Sequence, residues 1–181
     1  MINYLRKYKS VLRFILTFLG TYLLLSLVYM TYLKVGSSTQ FYPDYITHEV
    51  ALQCRWLVEK MGFNAVIEPH ETEASMKLFV ENYFVVRVVE GCNSASIIIL
   101  FAAFVLSFFK GYKRTLLFIF LGSISIYVIN IIRIAIIAIA LYKYPQYAEF
   151  LHSIVFPAVI YGYIFLLWVL WVVRLNKKNH A

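Results

Sequence analysis

The chain alternates between long apolar runs and short polar segments that carry most of its charge. Four apolar runs cover about residues 11–34, 93–110, 115–142 and 153–173. A helix needs about 20 mainly apolar residues to cross roughly 30 Å of hydrocarbon, and 93–110 is short by this measure. The pattern therefore predicts one integral membrane domain, residues 1–181, built as an all-α four-helix transmembrane bundle.

The segment between the first two runs, residues 35–92, has a different pattern. Its stretch 43–62 predicts one amphipathic helix, with Asp44 as the N-cap and Gly62 as the C-terminal stop. Four apolar residues at helical spacing form a stripe that can pack on the bundle or lie in the membrane interface: Val50, Cys54, Leu57 and Met61.

Two stretches after this helix are rich in β-branched residues and alternate in polarity, "FNAVIE" and "LFVENYFVVRVVEG". A turn is expected at Glu81 and Asn82. The pattern predicts a small β-hairpin that leads directly into Cys92. The segment 35–92 is thus expected to form a small extracytoplasmic helix-plus-hairpin insertion.

The composition agrees with a membrane protein and argues against nucleic acid as a partner. Hydrophobic residues make up 62% of the 181, whereas soluble domains contain roughly half. The net charge of +8 is concentrated beside the apolar runs rather than along one face. The basic residues form three clusters: Arg6, Lys7 and Lys9; Lys110, Lys113 and Arg114; Arg174, Lys177 and Lys178.

These clusters also predict the orientation, because cytoplasmic loops carry an excess of Lys and Arg. Four spans across the plasma (inner) membrane, with both termini cytoplasmic, place all three clusters on that side. The segments 35–92 and 143–152 then lie outside. A cleaved signal peptide is the alternative for 11–34. The run is long for one, and "YMTYLKVGSS" is a poor cleavage site.

Asn130 and Arg133 interrupt the third apolar run. Arg133 lies about 13 Å below the outer end of that run, at 1.5 Å per residue. A charge at membrane depth costs at least about 2.5 kcal/mol, which snorkelling or a structural ion pair can offset. Because the runs contain few acidic partners, a functional arginine facing the bundle interior is favoured. Asn130, one turn earlier, can brace its guanidinium.

Cys92 lies in a Gly-Cys-Asn turn that leads into the second run. A small apolar filler and a disulfide with Cys54 are two interpretations of it. Its place near a helix N-terminus favours a third, a thiolate nucleophile, because the helix dipole and unpaired N–H groups stabilise negative charge. Two cysteines are too few for a disulfide scaffold or a paired metal site, so no metal or cofactor is expected.

His152 lies at the outer mouth of the fourth run, at the level of Cys92 and within reach of Arg133. A cysteine and a histidine supply the nucleophile and the proton shuttle for acyl transfer, and an arginine can stabilise the oxyanion. His48 and His70 lie on the same predicted side. The assignment of His152 therefore depends on the other two members of the set.

Together these residues resemble the exosortase/archaeosortase family. The resemblance lies in "EGCNS" opening a span, "NIIR" inside the next and a histidine at the mouth of the last. The stretch "HEVALQCRWLVEKMGFNAVI" before "VVEGCNS" is also similar to short members. The similarity covers roughly residues 40–170, and the ordered Cys–Arg–His set is more specific than any single motif.

The resemblance implies a membrane-embedded cysteine protease or transpeptidase. Its partners would be exported proteins whose C-terminal tail holds a recognition motif, a transmembrane helix and a basic cluster. By resemblance Cys92 is the nucleophile, His152 the acid and base, and Arg133 the oxyanion or thiolate stabiliser. The chain has four predicted spans where long members have about eight, which implies a reduced catalytic core.

Three further residues are candidates for orienting the site or the substrate. Asn130 is one turn from Arg133, while Glu90 and Asn93 flank Cys92 and either orient it or only cap the turn.

The competing function is non-enzymatic, a small transporter subunit or an assembly factor for lipid or polymer export. In that case Asn130 and Arg133 line a solute path or hold a lipid phosphate, and Cys92 and His152 take no part. A thiol oxidoreductase is disfavoured because the chain has no Cys-x-x-Cys motif.

Overall fold

The computed structural model describes residues 8–36 and 41–176, and the side chains of 152, 156 and 174–176 are outside that description. The five main helices are α1 (Lys9–Val35), α2 (Tyr45–Lys60), α3 (Ala95–Ser107), α4 (Tyr112–Lys143) and α5 (Phe156–Asn176). Three strands lie between α2 and α3: β1 (Ala65–Pro69), β2 (Ser75–Val80) and β3 (Tyr83–Val89). A 3-10 turn at Glu90–Cys92 joins β3 to the loop before α3.

Three of the predicted spans are found as helices long and apolar enough to cross a membrane. Within the described residues these are Lys9–Val35, Tyr112–Lys143 and Pro145–Val173. The last combines short 3-10, α and π-helical turns over residues 145–155 with most of α5. The run 93–110 forms α3, which has only 13 residues. At 1.5 Å per residue it is about 20 Å long, less than the hydrocarbon thickness.

Helices α3, α4 and α5 share one apolar core. Its buried residues are Phe101, Val105, Ile126, Ile160, Ile164 and Trp171. Trp168 stacks on Phe104 with 4.3 Å between ring centroids. Gly122 lets α4 approach α3 closely, because a Cβ there would overlap the ring of Phe101. Helix α1 packs on α3, and most of its other apolar side chains are exposed.

The predicted amphipathic helix is present as α2. Asp44 caps it, because its Oδ1 accepts hydrogen bonds from the backbone N–H groups of Ile46 and Thr47 at 3.0 and 3.1 Å. The predicted stripe is only partly correct. Val50 and Cys54 are buried, but Met61 is 47% exposed because the helix ends at Lys60. Thr47, Ala51 and Val58 complete the buried face instead.

The predicted hairpin is β2 and β3, and it turns at Glu81 and Asn82, both with positive φ. The other predicted strand forms β1 and pairs antiparallel with the far side of β2. A three-stranded sheet thus replaces the expected hairpin, so the fold is mostly helical rather than all-α. Ala65 of β1 joins the apolar cluster that Val58, Leu78 and Ala138 form between α2, the sheet and α4.

Helix α2 and the three strands form a unit that we call the cap. The cap covers the C-terminal third of α4, where Ile134, Ala135 and Ala138 are buried against it. Helix α4 has 32 residues and is therefore about 48 Å long. It is longer than a hydrocarbon layer is thick, and the additional length carries the cap.

Candidate active site

The turn that carries Cys92 connects the cap to α3. Strand β3 ends at Val89, the 3-10 turn takes residues Glu90–Cys92, and α3 begins at Ala95. Between them Ser94 has a φ of 64°, a left-handed conformation that is uncommon for a residue with a side chain. The chain therefore changes direction sharply within three residues of Cys92.

Asn93 holds this turn in place. Its side chain is 1% exposed, and its Oδ1 accepts a hydrogen bond from the N–H of Ala95 at 2.9 Å. Its Nδ2 donates to the hydroxyls of Tyr29 at 2.7 Å and Thr47 at 3.0 Å. Asn93 thus binds the first N–H of α3 and ties that helix to α1 and α2, which supports a positioning role.

Cys92 and Arg133 are linked through Asn130. The side-chain amide of Asn130 donates to the backbone carbonyl of Cys92 at 2.6 Å. Its side-chain oxygen accepts from Nη1 of Arg133 at 3.1 Å. The expected contact between Asn130 and Arg133 is therefore present, and the same asparagine also reaches the cysteine turn.

Cys92 and Arg133 line one cavity of about 320 Å³. Its other walls are β3 and one face of α4: Phe84, Val85, Val86, Arg87, Val88, Val89, Ile134, Ile137 and Leu141. Cys92 is partly buried and packs at the edge of the apolar cluster that contains Val50 and Ile134. The cavity is mainly apolar, with two arginines and one thiol in its lining.

The two cysteines have different surroundings, and both are free thiols. Cys54 is 0% exposed, and its Sγ lies 3.9 Å from the carbonyl oxygen of Ile131. Burial raises the pKa of the Cys54 thiol to about 12. Because a thiolate is the reactive form, Cys54 is a packing residue, whereas Cys92 faces the cavity.

The remaining candidates are placed less completely. Glu90 begins the 3-10 turn, where its carbonyl accepts from the N–H of Asn93 at 3.4 Å. The backbone of residue 152 lies in the π-helical turn Leu151–Val155, but the His152 side chain is outside the described residues. His48 and His70 make local contacts with the backbone of Tyr42 and Thr72.

Sequence reasoning did not identify three residues that contribute to the site. Tyr29 and Thr47 hold Asn93, and Arg87 lines the cavity while pairing with Glu73. The sequence offered one signal for Tyr29, because its hydroxyl is a polar group within the long apolar run of α1. Within the described residues, no group of three His, Cys, Asp or Glu side chains is placed to hold a metal ion.

A family described as transmembrane exosortase matches residues 6–175 of the chain. The chain belongs to the transmembrane exosortase family. The matched region of this exosortase contains Cys92, Arg133 and His152 together with the whole cap. The family resemblance drawn from the sequence motifs is thereby confirmed. No curated protein and no solved structure matches the chain.

Proposed function

We propose that this exosortase is a membrane-embedded, sortase-like cysteine protease or transpeptidase that cleaves C-terminal sorting signals of exported proteins. The observation that carries the proposal is the chain of contacts from Arg133 through Asn130 to Cys92 beside one cavity. It ties Arg133 to the backbone of Cys92, whose partly buried thiol belongs to the residue that lines the same cavity.

The length of α4 supports a site at the outer membrane boundary. Lys113 and Arg114 lie at the start of α4, which we assign to the cytoplasmic side. Arg133 is about 31 Å along the helix from Tyr112, close to the hydrocarbon thickness of about 30 Å. On this assignment Arg133 lies at the outer boundary rather than about 13 Å below it, because the cap covers the last third of α4.

The chain then has four membrane segments, one of which is short. Helix α3 and the turn before it together run from the cytoplasmic boundary to Cys92, and the cap lies above them on the outer side. Both termini lie in the cytoplasm, and the cap faces the exterior of the plasma membrane.

The thiolate of Cys92 attacks the scissile carbonyl carbon of the substrate and forms a C–S bond. The tetrahedral intermediate collapses to a thioester when the C–N bond breaks. The leaving amine takes a proton from His152, and the membrane-anchored tail departs. Water or an acceptor amine then attacks the thioester carbon and gives its proton to His152, and the C–S bond breaks. This step regenerates the Cys92 thiolate beside a protonated His152, the state from which the reaction began.

Arg133 stabilises the negative charge that develops on the carbonyl oxygen. A guanidinium offers several N–H donors in a fixed plane, and the apolar walls of the cavity strengthen its interaction with an oxyanion. Asn130 holds one end of that group and also fixes the carbonyl of Cys92. This arrangement requires no reorganisation of the arginine during the reaction.

The test uses the full-length protein in nanodiscs. Its substrate is a reporter that ends in the C-terminal tail of an exported protein from the same organism, consisting of a motif, a transmembrane helix and a basic cluster. We expect the wild type and Cys54→Ala to release the tail and Cys92→Ala to release none. Hydroxylamine, which cleaves thioesters, should free an accumulated acyl-enzyme. Normal processing by Cys92→Ala would exclude the thioester route and favour the transporter alternative.

A further inference from the structure

Strand β3 lies at one edge of the sheet, because the strand order is β1-β2-β3 and β3 pairs with β2 alone among the described residues. Alternate residues of such a strand direct their N–H and C=O groups away from the sheet. An edge of this kind is a template for another extended chain. The open edge of β3 is therefore a potential binding surface for backbone groups.

This edge faces the candidate active site. Six consecutive residues of β3, from Phe84 to Val89, line the cavity that contains Cys92 and Arg133. The opposite wall is α4, which contributes Ile134, Ile137 and Leu141. The cavity thus runs beside the strand, and the strand itself continues through the 3-10 turn into Cys92.

We propose that the peptide segment before the scissile bond binds as an added strand on β3, parallel to it. This inference rests on the proposed function. The substrate runs from its exported domain towards its own transmembrane helix, while β3 runs from the hairpin turn towards Cys92. Both chains therefore run towards the membrane, which makes the pairing parallel.

The lining favours an extended peptide as the occupant. Backbone groups at a strand edge bind other backbone groups, and specificity comes from pockets for alternate side chains. Six residues of strand extend for about 20 Å, so β3 can hold several residues upstream of Cys92. The volume of about 320 Å³ is at the lower end of the range for ligand pockets.

The other edge of the sheet provides an internal control. Strand β1 is also at an edge, but it lies on the far side of β2 and ends at Pro69, and the cavity lining contains none of its residues. Val66 on β1 is 42% exposed and Phe84 on β3 is 52% exposed. A cysteine at either position is therefore comparably accessible.

The first experiment measures disulfide cross-linking in a Cys54→Ala/Cys92→Ala background, which requires no catalysis. The full chain in nanodiscs carries Phe84→Cys, Val89→Cys or, as the control, Val66→Cys. The probe is the reporter's C-terminal tail as a synthetic peptide with single cysteines at successive positions. We expect cross-links from β3 and only background from β1.

The register tests the direction of pairing. Phe84 and Val89 are five residues apart, with one irregularity in the β2–β3 register between them. Between Phe84→Cys and Val89→Cys, the best peptide position should therefore move towards the peptide C-terminus by four or five residues. A shift towards the N-terminus would show antiparallel pairing and overturn the parallel assignment. Cross-linking no stronger at β3 than at β1 would overturn the whole proposal, while cleavage by the wild type would still support the proposed function.

A second experiment uses an active enzyme and peptides that are N-methylated at one position each. Each methyl group replaces one N–H, and the loss of one backbone hydrogen bond should raise KM about fivefold with little change in kcat. We expect this effect at every second position upstream of the scissile bond. Equal effects at all positions, or none, would contradict strand addition. Cross-linking without any cleavage would leave the docking site standing and reject the proposed chemistry.

Discussion

Asn130 donates a hydrogen bond from its side-chain amide to the backbone carbonyl of Cys92, with 2.6 Å between Nδ2 and the oxygen. The same side chain accepts from Nη1 of Arg133 at 3.1 Å. One buried amide thereby holds the cysteine turn and the membrane arginine in a fixed relationship. It joins residues on two elements that only the fold brings together.

Replacing Asn130 with alanine should reduce kcat about 10- to 100-fold with little change in KM, since a lost buried hydrogen bond costs about 1–3 kcal/mol. The measurement is cleavage of the tail reporter in nanodiscs, together with the pH profile of kcat. A purely structural loss would lower the amount of folded enzyme without moving that profile. Asn64→Ala, at an exposed position of the cap, is the control and should behave as the wild type.

Arg133→Lys should separate the effect of the positive charge of Arg133 from the effect of its guanidinium geometry. A lysine keeps a cation near Cys92 but lacks the planar set of donors that an oxyanion requires. We expect alkylation of Cys92 by a maleimide to remain fast in Arg133→Lys and to slow in Arg133→Ala, while both variants lose turnover. Arg87→Ala removes an arginine of the same cavity that is paired with Glu73, and it should keep fast alkylation. Unchanged turnover in Arg133→Lys would argue for a lipid-binding arginine instead.

The two thiols should differ in labelling with maleimide between about pH 7 and pH 10. Burial raises the pKa of Cys54 to about 12, so its thiolate fraction stays small over this range and its side chain is inaccessible. Mass spectrometry should find the label on Cys92 alone. Cys54→Ala should label like the wild type, and Cys92→Ala should take up none. Labelling of Cys54 in the folded protein would show that its burial is transient.

Gly122→Ala should destabilise the bundle by about 1–3 kcal/mol, because the added methyl group overlaps the ring of Phe101. Gly162→Ala is a matched control, since a Cβ at that position meets nothing within 4 Å. Thermal unfolding in detergent should show a lower Tm for the first variant only. Adding Phe101→Leu to Gly122→Ala should recover part of the loss, and equal Tm values for both alanine variants would rule out a tight contact.

The proposed orientation predicts opposite labelling of two exposed positions in a Cys54→Ala/Cys92→Ala background. Trp56 on α2 is 57% exposed and Tyr112 at the start of α4 is 77% exposed. A membrane-impermeant maleimide should label Trp56→Cys in intact spheroplasts, and Tyr112→Cys only after permeabilisation. The reverse pattern would place the cap in the cytoplasm.

Much of the fold could be predicted because it depends on neighbours in the sequence. Asp44 caps α2 through the N–H groups of the next residues, and Glu81 and Asn82 close a two-residue turn. Hydrophobic period and length were enough for the long helices. The same local reasoning placed Asn130 beside Arg133, one helical turn away.

The remaining features depend on contacts between distant segments. The third strand, β1, pairs with β2 because its apolar residues complete a cluster over α4, and Met61 is exposed because the helix ends before it. That the cap covers the end of α4 also depends on such contacts, which α2 and the sheet make with a helix far along the chain.

The sequence by itself determined the long helices, the hairpin turn and the main candidate residues of the site, because periodicity, capping and residue type act over a few positions. Only the tertiary structure decided that Asn130 binds the carbonyl of Cys92 and that the edge of β3 borders their cavity. Those relationships come from the packing of the cap against α4, which joins residues far apart in the chain.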